Sequence, residues 1–154
     1  MSDARATFET KTGGCLCGAV RFVARNVPAT FGICHCPMCR RWTGSALVEV
    51  SVKTEDITWE VAEHIAVRAF SEWAERAWCR ECGTGLYFRQ TKEGEWFGGT
   101  DLPLGIFDDP TGFMLTHEIY VDHAPDGFKL EDQGQKRLTR ADVIALNPDL
   151  EGAT

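Results

Sequence analysis

The sequence predicts a mainly β chain, an antiparallel β-sandwich with short helices, and three observations lead there. Apolar and polar residues alternate with period two over residues 19–23, 45–52, 66–70 and 86–89, the pattern of strands that bury one face. Turn chemistry recurs between such runs, at residues 13–14, 26–28, 92–94, 108–110 and 125–127, each with Gly, Pro, Asn or Asp. Strands do not alternate with long helical patterns, so a parallel βαβ series is not expected.

Taken in order, residues 19–23 give the first clear strand, and a short helix is expected after Pro37. Strands follow over 45–52, 66–70 and 86–89. A second helix is expected over 139–146: Thr139 can cap it, Asp142 can reach back from the third position, and Asn147 with Pro148 stops it. Neither a repeat nor a linker divides the chain, so residues 1–154 read as one domain with its core at about 12–128.

The bulk composition supports this reading. Five Trp, nine Phe and two Tyr, within 44% hydrophobic residues, supply a core and exclude a disordered chain. The first residues hold no apolar secretory segment and no run of 18 apolar residues occurs, which points away from a membrane and to the cytoplasm. The formal charge is −7, and seven thiolates on two divalent ions would carry it to about −10. A phosphate backbone is repelled by such a field, so nucleic acid is not an expected partner.

The seven cysteines fall into three clusters: Cys15 and Cys17, then Cys34, Cys36 and Cys39, then Cys79 and Cys82. An odd count, the absence of an export signal and C-x-C pairs that close only a strained ring argue against disulfides. Thiolates at this spacing can turn toward one tetrahedral ion at ~2.3 Å, which suits Zn²⁺. Cys15 and Cys17, two apart, share one face of an extended chain. Cys79 and Cys82 with Gly83 read as a metal knuckle, the glycine taking φ > 0 so that N–H groups turn onto the sulfurs. Four thiolates close a site, so this set reads as structural. Cys34, Cys36 and Cys39 supply three corners only, and the fourth can be a protein side chain, water or an incoming thiol.

Four histidines compete for that corner. Alternation turns His35 away from its neighbours' ion, toward a supporting role or solvent. His117 and His123, six apart on an extended chain, would stand roughly 20 Å apart, so at most one is near the metal. His64 lies in a polar stretch and reads as surface. Arg40, Arg41 and Trp42 follow the three-cysteine cluster directly, gathering positive charge and an aromatic face where a substrate carboxylate could be held through a bidentate fork.

At these residues the chain resembles the glutathione-dependent formaldehyde-activating enzyme family, whose domain also occurs in centromere protein V. Residues 13–22, around Cys15 and Cys17, resemble the family's opening, residues 34–40 its central motif, and residues 79–84 its later knuckle. The stretch 117–125 also resembles the family, so the likeness spans roughly 12–128. It departs at 98–110, which is longer than the family's usual stretch, and at the late proline, whose aromatic is displaced to Phe128. The resemblance implies a fold shared with a small zinc-bearing chaperone of Rab GTPases and a structural zinc on Cys15, Cys17, Cys79 and Cys82. It also implies a catalytic zinc on Cys34, Cys36 and Cys39, and a carbon–sulfur lyase activity that adds glutathione to formaldehyde. Its partners would be a small thiol and an aldehyde. Two rivals stand beside this expectation: a binding module with structural zinc only, and a redox-sensing thiol cluster.

Overall fold

The computed structural model describes residues 6–152. A three-stranded antiparallel sheet contains β1 (Thr7–Gly14), β2 (Arg21–Pro28) and β5 (Ile57–Glu60) in the order β1-β2-β5. The remaining strands are β3 (Thr30–Cys34), β4 (Leu47–Lys53), β6 (Ile65–Ala69), β7 (Ala74–Cys79), β8 (Gly85–Gln90), β9 (Gly99–Pro103), β10 (Met114–Ile119) and β11 (Lys136–Leu138). They form an eight-stranded sheet in the order β11-β10-β3-β4-β9-β8-β7-β6. The expected strands over 19–23, 45–52, 66–70 and 86–89 appear as β2, β4, β6 and β8, each with bounds shifted by a few residues.

The antiparallel expectation is corrected at one edge, where β10 runs parallel to β3 and β11 parallel to β10. Parallel neighbours are joined by long crossovers. Here β10 returns beside β3 only after six other strands, so no local turn pattern announces the pairing.

Strand β4 shows how the large sheet divides its two faces. Val50 and Val52 point to one side and are fully buried, in a cluster with Phe22, Leu86 and Leu102. Phe22 comes from β2, so this cluster is the layer between the sheets. Its ring meets Trp59 at 5.4 Å and Phe107 at 5.3 Å, and burying such a side chain contributes about 1.5–3 kcal/mol. Glu49, Ser51 and Lys53 alternate to the opposite face and line a cavity there.

Two short helices flank that second face. The first, α1 (Pro37–Thr43), begins after Cys36 and ends at Gly44, in the left-handed region at φ 80°. The second, α2 (Arg140–Leu146), has the expected cap: the Thr139 hydroxyl accepts the Asp142 N–H at 3.3 Å and the Asp142 carboxylate accepts the Thr139 N–H at 2.8 Å. Val143 of α2 is fully buried with Leu47, Tyr120, Leu150 and the three-cysteine cluster, so the helix seals one end of the cavity. Among the described residues no helix is long and apolar enough to cross a membrane.

Candidate metal centres and cleft

The seven sulfurs gather into two groups, Cys15 with Cys17, Cys79 and Cys82, and Cys34 with Cys36 and Cys39. In each group every sulfur lies within 4.8 Å of the others. Four thiolates bound at ~2.3 Å around a tetrahedron stand about 3.8 Å apart. The Cys15–Cys17 and Cys17–Cys79 sulfurs are 3.6 and 3.9 Å apart, so the donors fit a soft divalent ion such as zinc.

The first group joins two distant segments. Cys15 and Cys17 lie in the turn after β1, and Cys79 and Cys82 at the end of β7 and in the turn before β8. Gly83 takes the positive φ expected of it, 79°, while its N–H reaches the Cys79 carbonyl at 2.9 Å. The Val20 N–H points at the Cys15 sulfur at 3.2 Å, and the Thr84 hydroxyl lies 3.1 Å from the Cys82 sulfur. Hydrogen bonding from Thr84 holds the Cys82 thiol down at about 6, which keeps a thiolate ready for a cation. None of the four lines the cavity on the other face of the large sheet.

The second group is built from a strand end and a helix start. Cys34 closes β3, Cys36 is the residue that caps α1, and Cys39 sits in the first turn. The Cys36 sulfur accepts the Cys39 N–H at 3.3 Å, a sulfur version of the usual side-chain cap. Hydrogen bonds from the Cys34 and Cys39 thiols, with the Cys39 and Met38 N–H groups, push Cys36 down to about 3. Hydrogen bonding to Cys36 and Cys39, together with burial, pushes Cys34 well up. All three sulfur residues are buried yet line the cavity. Among the described residues no histidine or carboxylate atom joins the three within that distance.

The cavity has a volume of about 1110 Å³, and two cross-strand rows make its floor. In the first, Arg76 of β7 lies opposite Phe88 of β8, Phe88 opposite Asp101 of β9, and Asp101 opposite Ser51 of β4. In the second, Glu49 of β4 lies opposite Gly32 of β3, Gly32 opposite His117 of β10, and His117 opposite Lys136 of β11. Residues opposed in a ladder share a face. Gly32 leaves the space the His117 ring occupies, because a Cβ there would lie 2.1 Å from Nε2. Burial pushes the Glu49 carboxyl well up, and the Asp101 charge raises it further. Burial also raises Asp101, against hydrogen bonds from Ser51 and Glu49 that lower it. The interaction between the two carboxyls raises Glu49 and lowers Asp101.

The predicted substrate contacts separate in the structure. Arg40 and Arg41 are exposed on the last turn of α1 and line no part of the cavity, whereas Trp42 is half-buried. The cation that does face the three cysteines is Arg76, 3% exposed, with Nη2 3.9 Å from the Cys39 sulfur. Sequence reasoning missed Arg76 and the Glu49–Asp101 pair. The only signal was alternation, which puts Glu49 and Ser51 opposite Val50 and Val52.

The histidines are also placed. His35 turns away from the trio, as alternation predicted, but it is buried and does not meet solvent: its Nε2 is 2.8 Å from Glu118, which also accepts from Gln135. His117 faces the cleft and its Nδ1 is 3.1 Å from the Thr116 hydroxyl. Tyr120 takes φ 57° and ends β10, so His117 and His123 do not share one strand as expected. His64 lies at the surface, 3.5 Å from Glu81.

Known proteins resemble this chain in sequence and shape. The sequence profile described as "Glutathione-dependent formaldehyde-activating enzyme" matches residues 10–123, close to the span its motifs suggested. A Schizosaccharomyces pombe protein named as an uncharacterized lyase is 37% identical over 115 residues, 74% of this chain and 80% of that protein. The crystal structure of a Rhodobacter sphaeroides protein aligns with TM-score 0.53 at 20% identity, over 83% of this chain and 99% of that one, a likeness of fold.

Proposed function

The chain belongs to the glutathione-dependent formaldehyde-activating enzyme family, and on that premise we propose that it is a zinc-dependent carbon–sulfur lyase. It joins a small thiol, glutathione or one like it, to an aldehyde such as formaldehyde. The single observation that carries the reading is the contrast between the two sulfur groups. The four-thiolate group lies off the cleft, while the three-thiolate group opens into it one ligand short. A lyase-named relative supports the same class of reaction.

Cys34, Cys36 and Cys39 would hold the second zinc, which when bound supplies Lewis acidity and keeps a thiol ionised at neutral pH. In the reaction the thiol sulfur attacks the carbonyl carbon. A sulfur–carbon bond forms, the carbonyl π pair moves to oxygen, and the proton lost by the thiol ends on that oxygen. The Glu49–Asp101 pair on the cleft floor, both carboxyls raised by burial, would relay that proton. Trp73 and Phe88, packed at 6.2 Å, wall the same cleft with apolar surface and thin the water there. Cys15, Cys17, Cys79 and Cys82 would hold a structural zinc.

The test is calorimetry with glutathione on metal-loaded protein, followed by formaldehyde with the adduct read by NMR. Heat and adduct are expected. Neither signal appearing rejects this substrate pair, and a second ion already saturated by protein ligands would favour a binding module instead.

A further inference from the structure

Arg76 lies in β7 and is buried, yet among the described residues no carboxylate forms an ion pair with it. Its guanidinium is instead packed among three aromatic rings, 4.9 Å from Phe88, 5.4 Å from Trp42 and 5.5 Å from Phe70. Rings of this kind desolvate a cation and hold its plane without neutralising it. Nη2 reaches toward the Cys39 sulfur at 3.9 Å, and Nε is buried with no hydrogen-bond partner. Nε and Nη2 share one edge of the guanidinium. That edge faces the three-cysteine cluster with a donor left over, beside a cavity it helps to line.

A buried polar N–H without a partner is costly, because the water it gave up is not replaced. Glu49 lines the same cavity but forms no ion pair with Arg76 among the described residues. The Nε–Nη2 edge therefore offers an open donor to an anionic atom that enters the cavity. We propose that Arg76 is the oxyanion-binding residue of the cleft, taking the aldehyde oxygen as it gains charge during attack by the thiol. This rests on the thiol–aldehyde reading above. The electron pair of the opening carbonyl settles on an oxygen held by two N–H donors, and the proton released by the thiol then neutralises it. Donors fixed in advance at a developing oxyanion stabilise the transition state more than the bound reactants.

The experiment uses metal-loaded protein with two probes, formate as a stable small oxyanion and the complete thiol–formaldehyde reaction. Formate should quench tryptophan fluorescence saturably, since Trp42 lies against the guanidinium, and Arg76→Gln should weaken that binding at least ~10-fold. In the reaction Arg76→Gln should lower kcat by about 10²–10³ with the thiol KM changed less than about threefold. Arg76→Lys, which keeps the charge and the stem but loses the two-donor edge, should fall between and serves if Arg76→Gln does not fold. Unchanged formate affinity and kcat in folded variants overturns the assignment, as does a raised thiol KM with kcat intact, which makes Arg76 an anchor for the thiol's own carboxylate. Formate binding lost in the variants while wild-type protein forms no adduct rejects the lyase reading and leaves the oxyanion site standing.

Discussion

Gly32→Ala tests the cleft floor most directly. Residue 32 lies in β3 between Glu49 and His117, and an alanine Cβ would stand 2.1 Å from His117 Nε2 and 2.3 Å from Cε1. Ordinary contact begins at 3.4 Å, so the ring must retreat by more than 1 Å. The glycine carries no positive φ, so the effect is one of crowding and not of backbone strain. His117 would lose its 3.1 Å approach to the Thr116 hydroxyl. Overpacking of this kind costs about 1–3 kcal/mol, and at about 2–4 °C per kcal/mol for a chain of this size the melting temperature should fall by ~2–12 °C. Thermal melts of Gly32→Ala, His117→Ala and the double variant form a cycle. The double variant should recover most of the loss, with a coupling of about 1–2 kcal/mol. Additive losses, or a melt unchanged in the single variant, would refute the placement of the ring over residue 32.

Native mass spectrometry should count two metal ions per chain, falling to one in Cys39→Ser with the fold kept, because that sulfur serves the cleft. Cys79→Ser should instead unfold in far-UV dichroism, since its fully buried sulfur joins the N-terminal turn to the β7–β8 turn. Thr139→Ala should cost about 1 kcal/mol through the lost cap, read as a melting shift of ~2–4 °C. The Arg21 guanidinium and the Thr12 hydroxyl hold Asp108 down at about 2, below its ordinary 3.8. Its contribution is therefore complete above pH 3.8 and fades as pH falls toward 2. Asp108→Asn should flatten that acid limb slightly in urea midpoints and lose its effect in high salt, because both partners are largely exposed; an unchanged limb at low salt refutes the pairing.

The cysteine clusters were legible because each one's signal is local, although the meeting of Cys15 and Cys17 with Cys79 and Cys82 is not. A turn of two to four residues fixes where Cys34, Cys36 and Cys39 point, and Gly83 carries the knuckle's conformation in its identity. Thr139 and Asp142 announced their helix for the same reason. Arg76 was not legible, since its meaning comes from standing opposite Phe88, and Phe88 opposite Asp101, a register that no short window of sequence contains. Arg40 and Arg41 show the converse error. They neighbour Cys39 along the chain, but successive helical residues turn by about 100°, so inward Cys39 leaves them outward. The parallel edge at β10 was hidden because its partner lies across most of the chain.

Strand β4 keeps two separate records on alternate positions. Val50 and Val52 pack into the layer between the sheets, whereas Glu49, Ser51 and Lys53 line the cavity, with Ser51 also bonded to Asp101. A laboratory library randomised at 49, 51 and 53 should therefore explore new chemistry while heat tolerance stays nearly level, and one randomised at 50 and 52 should do the reverse. The same strand warns against insertions: one extra residue would exchange the two records at once, sending Glu49 and Lys53 into the apolar layer and valines into the cavity.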